Sequence, residues 1–91
     1  MIKKVLYSNN FKRSFKSKIA KDGKVLKDFE KQWKIFISNP QDPRLKNHRL
    51  TGKLKGYNAI SIRYNLRLIY KEMDNKTIVV YDIGTHEAVY R

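Results

Sequence analysis

The clearest indication of the fold comes from residues 59–70, which read Ala-Ile-Ser-Ile-Arg-Tyr-Asn-Leu-Arg-Leu-Ile-Tyr. In its first half, Ile60, Ile62 and Tyr64 alternate with smaller or polar residues, which is the period of two that a half-buried β-strand shows. Its second half, residues 66–70, is a further apolar run, and the Tyr-Asn pair between the halves suits a tight turn. The stretch therefore predicts an antiparallel β-hairpin.

Further strands are predicted on both sides of this hairpin. Residues 54–57 and 77–83 are short segments rich in Leu, Ile, Val and Tyr, and residues 73–76, Met-Asp-Asn-Lys, suit the turn before the second segment. A separate strand is predicted at residues 3–8. We expect this first strand to join an edge of the sheet.

Two amphipathic helices are predicted between the first strand and the others. The first helix carries an apolar stripe of residues at four-residue spacing, namely Phe11, Phe15 and Ile19. Asp22-Gly23 is expected to end it. The second helix, residues 25–38, stops before Pro40, because proline disfavours helical geometry in the residue that precedes it. The short connection predicts a helical hairpin.

This order of elements predicts an α+β fold, because strands and helices are segregated along the chain. It consists of an N-terminal strand, a helical hairpin and a three- to four-stranded antiparallel meander. The helices are expected to pack on one face of the sheet and to leave the other face partly open. With 91 residues the chain has room for one domain, residues 1–91, and one core.

Charge is the strongest compositional feature. The sequence has 21 Lys and Arg against 8 Asp and Glu, a formal net charge of +13. Residues 1–55 hold 16 basic and 4 acidic side chains, whereas residues 56–91 hold 5 and 4. Such a field attracts polyanions, and nucleic acid is the commonest of these. The alternative is a basic surface that has no polyanion as its target.

Several function classes are excluded or disfavoured by composition. The chain has no Cys, which excludes disulfides and thiolate catalysis, and with two His it is expected to hold no metal or other cofactor. No apolar segment approaches the roughly 20 residues that span a bilayer. The start, Met-Ile-Lys-Lys, lacks the apolar stretch of a signal peptide, so we expect a cytoplasmic protein without a membrane partner.

His, Arg, Lys and Tyr residues after position 44 are the candidates for chemistry, since Gly-rich phosphate loops and common hydrolase motifs are missing. These side chains can cleave RNA without a metal. The 2′-hydroxyl attacks the adjacent phosphate and the 5′-oxygen leaves, which requires a base, an acid and fixed positive charge. Histidine suits proton transfer because its pKa lies near neutrality, and Arg and Lys suit the charge.

Individual candidates have both functional and ordinary interpretations. His86 follows a predicted strand and His48 lies in a basic loop, but each also fits a solvated surface position. Arg67 is expected on the strand face opposite to its apolar neighbours, facing a ligand or only solvent. Lys53 and Lys55, on one face of a short predicted strand, could grip phosphates or form a solvated pair. Tyr90 could stack on a base or pack the C-terminus.

Four blocks in series resemble a known family of proteins. They are residues 45–52 (LKNHRLTG), 54–57 (LKGY), 66–70 (LRLIY) and 83–90 (IGTHEAVY). In order and spacing the chain resembles the RelE/ParE superfamily of type II toxin–antitoxin toxins, and within it the YafQ-like branch. The resemblance implies a compact antiparallel sheet with helices on one side. It also implies ribosome-dependent cleavage of mRNA in the decoding (A) site beside 16S rRNA, and neutralisation by a cognate acidic antitoxin.

The resemblance also implies roles for individual residues. His48 and His86 match histidines that the YafQ-like branch uses for catalysis, and Arg67 matches an arginine that RelE-like toxins place at the scissile phosphate. We assign His86 as general acid, His48 as base or phosphate contact, and Arg67 as the transition-state clamp. The expected RNA-binding residues are Lys46, Arg49, Lys53, Lys55, Arg63 and Tyr90.

Two positions depart from the YafQ-like pattern. Ser61 stands where that branch has a histidine, and Asn65 stands where it has an aspartate. Both replacements lose a group that transfers protons near neutral pH. Arg67 is expected to compensate by stabilising charge in the RelE manner.

Two other functions remain open at this point. A ParE-type toxin shares the fold and is basic, but it poisons DNA gyrase and needs no acid–base pair, so the two histidines and Arg67 argue against it. A non-enzymatic nucleic-acid-binding module would need only the basic first half of the chain.

Overall fold

The computed structural model describes residues 1–89, which form one five-stranded sheet and three helices. In chain order the elements are β1 (Lys4–Tyr7), α1 (Asn9–Lys18), α2 (Gly23–Ser38), β2 (His48–Arg49), β3 (Asn58–Arg63), β4 (Leu66–Glu72), β5 (Thr77–Gly84) and α3 (His86–Val89). Single 3-10 turns occur at Pro43–Leu45 and Gly52–Leu54. The spatial order of the strands is β1-β5-β4-β3-β2. The predicted α+β class and antiparallel meander are confirmed.

The first strand lies at the sheet edge, as predicted, but the sheet is not wholly antiparallel. β1 pairs with β5 in parallel, with Lys4 opposite Thr77 and Tyr7 opposite Val80. A parallel pair needs a long crossover connection, and here the chain between β1 and β5 includes both long helices and the meander. The antiparallel sheet that the resemblance implied therefore holds for β2 to β5, and the β1 edge differs from it.

The predicted strand at residues 54–57 is also wrong. Gly52 and Gly56 have φ of +67° and +95°, values that favour glycine, and the chain between them makes a 3-10 turn. The strand that pairs with β3 lies earlier, with His48 opposite Ala59. The loop then closes through Leu50 N–H, which donates to the carbonyl of Tyr57 at 2.9 Å.

Side-chain caps determine where the two long helices begin. The Ser8 hydroxyl accepts from Phe11 N–H at 2.9 Å at the start of α1. The Asp22 carboxylate accepts from the N–H groups of Lys24 and Val25 at the start of α2. Asp22-Gly23 therefore begins the second helix rather than ending the first, because a carboxylate satisfies the unpaired N–H groups of a helix N-terminus.

α1 and α2 form the predicted hairpin and pack on one sheet face, where the main core lies. Its most deeply buried members include Phe36, Ile19, Ile60, Leu68, Tyr70, Val80 and Ile83. Aromatic rings link the layers, with Phe15 of α1 centred 5.1 Å from Phe29 of α2 and Phe36 centred 4.8 Å from Tyr70 of β4. The opposite face carries a smaller cluster, Ala59, Ile69 and Val89, with Leu50 and Tyr57 at its margin. The second face is thus only partly covered.

The loop before β2 is fixed to the core at two points. Leu45 is fully buried. The Asn47 side-chain amide donates to the carbonyl of Pro40 at 2.9 Å and to the hydroxyl of Tyr70 at 2.7 Å, and burial raises the pKa of that hydroxyl. These anchors hold the chain immediately before His48.

Replacing Leu45 tests whether its burial anchors the loop before β2 to the core. Leu45→Ala should lower the free energy of unfolding by about 2–5 kcal/mol, because it leaves a cavity in the core. Leu6→Ala is the matched control, since Leu6 is 44% exposed and should cost less than about 1 kcal/mol. Urea unfolding measures both changes. Equal costs for the two variants would contradict the placement of Leu45.

Candidate active site

The sheet face opposite α1 and α2 collects the candidate catalytic residues. Residues paired across neighbouring strands point to the same face. Ser61 lies opposite Arg67, which in turn lies opposite Gly84, so these three form one row across β3, β4 and β5. The neighbouring row contains Ala59 and Ile69 of the small apolar cluster. That cluster identifies this face as the one away from the main core.

His48 extends the neighbouring row at the β2 edge, because it lies opposite Ala59. Its side chain is exposed, and its Nδ1 lies 2.9 Å from the carbonyl oxygen of Lys46. A carbonyl only accepts, so Nδ1 carries the proton and Nε2 of the neutral ring keeps a lone pair. Lys46 has φ of +52°, a left-handed turn that brings its carbonyl back to the ring. This tautomer suits a base.

Arg67 is half-buried in the middle of the sheet. Its Nη1 lies 3.3 Å from the carbonyl oxygens of Arg63 and Tyr64, and 3.5 Å from Ser61 Oγ, so all three contacts are long. Within residues 1–89 all hydrogen bonds of this guanidinium come from Nη1. The N–H groups of Nε and Nη2 can therefore donate to an anion. The β3–β4 turn thus orients the guanidinium.

His86 is the exposed first residue of α3, directly beyond the end of β5. The Thr85 hydroxyl accepts from Ala88 N–H at 3.2 Å, and Val89 packs against the small apolar cluster. These contacts lay the short helix across the sheet face. His86 therefore stands at the Gly84 end of the row that contains Arg67.

The structure brings His86, Arg67 and His48 to one face. Arg67 and His48 lie two strands apart, which corresponds to about 10 Å between backbones. Their side chains can meet at one phosphate only by converging above β3. His86 approaches from the opposite side, beyond β5.

Lys18, which is not among the site residues predicted from the sequence, is a further cation at this face. A Cβ added at Gly84 would lie 3.1 Å from Lys18 Nζ and 3.2 Å from Val89 Cγ1, so the ammonium sits against the glycine that pairs with Arg67. Ser14 Oγ donates to Asp82 Oδ1 at 2.9 Å and holds α1 against β5. Nothing in the sequence separates Lys18 from the other lysines of α1.

The expected RNA-binding residues of the loop surround His48. A cavity of about 390 Å³ is lined by the segment from His48 to Leu54, and it includes Arg49 and Lys53. Lys53 lies in the 3-10 turn and Lys55 directly follows it, so their predicted arrangement on one face of a strand is wrong. Both side chains, like that of Lys46, are exposed.

Arg63 does not join this group. A β-bulge between Ser61 and Arg63 re-aims the strand end, and Arg63 Nε lies 3.4 Å from Asp28 Oδ2 of α2. Its guanidinium is therefore directed toward the helix layer. The same irregularity leaves Tyr64 96% exposed at the turn, although the alternation placed it with Ile60. Tyr90 lies outside the described residues.

The acidic side chains do little to neutralise the basic surface. Within residues 1–89 the two salt bridges are Arg44–Asp42 at 2.8 Å and Arg63–Asp28 at 3.4 Å. Hydrogen bonds from the Arg44 side chain and backbone lower the pKa of Asp42 to about 2. Asp74 accepts from the backbone N–H of Lys76, which lowers the pKa of Asp74. Within these residues most of the positive charge is therefore not neutralised by ion pairs, and such a surface can attract polyanions.

Residues 1–89 contain neither a metal-binding cluster nor a membrane-spanning helix. No group of three or more His, Cys, Asp or Glu side chains in this part is arranged to hold a metal ion. No helix of this part has both the length and the apolar character needed to cross a membrane.

Several solved structures that resemble this chain are structures of toxins. YafQ from E. coli strain BL21(DE3) superposes with a TM-score of 0.80 at 25% identity, covering 98% of this chain and 99% of that one. A chain of the E. coli DinJ–YafQ complex gives 0.78 at 25% identity, with coverage of 98% and 99%. A YoeB/ParE toxin from Agrobacterium tumefaciens shares the fold, with a TM-score of 0.76 at 15% identity over 92% of this chain and 99% of that one.

Comparison with curated protein sequences gives no match. The family model described as the bacterial toxin of type II toxin-antitoxin system, YafQ, matches residues 3–91. That match spans both histidines, Arg67 and the sheet that carries them. The chain belongs to the YafQ family of bacterial type II toxin–antitoxin toxins.

Proposed function

We propose that this protein, as a single toxin domain over residues 1–91, is a ribosome-dependent endoribonuclease that cleaves mRNA in the A site and so inhibits translation. The observation that carries the proposal is one sheet face bearing two exposed imidazoles and a half-buried guanidinium, His48, His86 and Arg67. Lys18 adds positive charge at the same row. RNA cleavage by 2′-hydroxyl attack needs these groups and no cofactor.

The proposed mechanism transfers two protons: one leaves the attacking 2′-hydroxyl, and one reaches the departing 5′-oxygen. Nε2 of His48 takes the proton of the 2′-hydroxyl, and the bond from O2′ to phosphorus forms. The bond from phosphorus to O5′ then breaks, and protonated His86 donates to the leaving O5′. The products are a 2′,3′-cyclic phosphate and a free 5′-hydroxyl. Arg67 donates to the equatorial oxygens, where charge accumulates in the transition state.

The openness of this site supports the proposed dependence on the ribosome. The imidazoles lie on an exposed sheet face and not in an enclosed pocket, so the protein alone can bind a flexible RNA but does little to fix its 2′-hydroxyl in line with the phosphate. A ribosome holds the message in a fixed position, and 16S rRNA offers phosphates to the basic loop around Lys46, Arg49, Lys53 and Lys55. The protein would therefore act in the cytoplasm, where the ribosomes are.

Removing the proposed acid should abolish cleavage. His86→Gln keeps the size of the side chain but loses the titratable group, and we expect the rate to fall by about 10²–10⁴-fold. Glu87→Gln is the matched control, because Glu87 is the exposed neighbour in α3. Primer extension on a message under translation measures the cuts. Unchanged cleavage by His86→Gln would contradict the assignment of His86 as the acid. If the wild-type protein instead trapped gyrase on DNA and cut no message, a ParE-type toxin would be indicated.

Shortening the proposed clamp tests the geometry of Arg67. Arg67→Lys keeps one positive charge but loses the planar set of donors, so single-turnover cleavage should slow by about 10²-fold. Arg63→Lys is the control, because Arg63 pairs with Asp28 on the helix side. Its rate should stay within about twofold of wild type. Similar losses in both variants would show that general positive charge, and not this position, matters.

An acidic antitoxin is the expected protein partner. The E. coli relative is known in a complex with DinJ, and the unneutralised basic surface here favours an acidic chain that orders as it binds. Gel filtration with the protein encoded by the neighbouring gene should show a complex that weakens in 1 M salt, where the Debye length is about 3 Å. Absence of a complex at low salt would count against this partner.

A further inference from the structure

A pair of tyrosines and a lysine form a third row on the active-site face. Tyr57 immediately precedes β3, Lys71 lies in β4 and Tyr81 lies in β5. The two rings are centred 5.1 Å apart, and Lys71 Nζ lies 5.6 Å from the centre of the Tyr57 ring. Lys71 shares its face with Arg67 because the two are four residues apart in one strand.

A β-bulge, and not the pairing register, brings Tyr81 to this row, because the residue opposite Lys71 is Val79. Ile69 pairs with Asp82 and the next residue, Tyr70, pairs with Val80, so Tyr81 is an extra residue in β5. Its carbonyl accepts from the Ser8 hydroxyl at 2.6 Å, which fixes the bulge to the start of α1. The irregularity therefore presents one more side chain to the open face.

The side chains of this row do more than cover the small apolar cluster. Tyr57 is half-buried against that cluster, but Tyr81 is 36% exposed and Lys71 is exposed. Of the three residues, Tyr57 also lines a cavity of about 720 Å³, together with Arg49 and Lys55. This volume lies in the range of pockets that hold small organic ligands.

An exposed aromatic pair with cations on an open sheet suits single-stranded RNA. Unpaired bases stack on tyrosine rings, and neighbouring lysines and arginines contact the phosphates. Glu72 is the one carboxylate among the residues that line the cavity, against two basic residues. The chemistry of this row therefore favours a nucleotide.

We propose that Tyr57 and Tyr81 form a base-stacking subsite, and that Lys71 contacts the adjoining phosphate. Lys71 lies about 13 Å along β4 from Arg67, so the stacked base belongs to a nucleotide near the scissile phosphate and not to the attacking one. The subsite rests on the proposed RNA cleavage and adds a determinant of where the message lies on the toxin.

The test uses a 2′-O-methyl RNA hexamer that contains 2-aminopurine and cannot be cut by 2′-hydroxyl attack. Stacking on a tyrosine should quench its fluorescence when wild-type protein binds. Tyr57→Leu and Tyr81→Leu should each weaken binding about tenfold and remove most of the quenching. Tyr64→Leu is the matched control, because Tyr64 is 96% exposed at the β3–β4 turn, and it should bind as wild type does.

Tyr57→Phe and Tyr81→Phe keep the rings and should retain both binding and quenching. These variants keep the test valid if a leucine variant fails to fold, because loss of quenching in a folded phenylalanine variant would overturn the subsite. Full quenching in both leucine variants, or no binding by wild-type protein, would overturn it as well. None of these results touches cleavage on the ribosome, so the subsite can fail while the proposed function stands.

Discussion

Backbone pairing between β3, β4 and β5 is the constraint on which the site depends. The register sets Arg67 against Ser61 on one side and Gly84 on the other. A shift of one residue would turn the arginine into the core and expose the leucines that flank it. Burial of Leu68 and Tyr70 against the helices opposes that shift. The apolar core therefore determines where the charged chemistry appears.

Two β-bulges and one glycine then change which side chains reach the open sheet face. One bulge directs Arg63 toward Asp28 on the helix side, and another inserts Tyr81 into the open face. Gly84 leaves room for Lys18 and for α3, since any side chain there would meet both. The acidic groups are largely engaged in caps and short-range pairs, so the face stays positive. Together these features concentrate cations beside the imidazoles without an enclosed pocket.

Elements with strong hydrophobic periodicity could be predicted from the sequence, whereas contacts between segments distant in the chain could not. The hairpin of residues 59–70, the two helices and the placement of Arg67 away from the main core follow from alternation and helical spacing. The parallel pairing of β1 depends on which edge the crossover reaches. The positive φ angles at Gly52 and Gly56 convert a strand-like composition into a turn. The position of Lys18 Nζ depends on how α1 packs, which no local pattern records.

The proposed active site requires His48, Arg67 and His86 to surround one phosphate. An NMR titration of the labelled protein with uridine vanadate, a pentacoordinate mimic of the transition state, tests it most directly. We expect the imidazole Cε1–H signals of both histidines and the Nε–H signal of Arg67 to shift together, with a single dissociation constant. Shifts confined to the basic loop, with His86 and Arg67 unmoved, would contradict it.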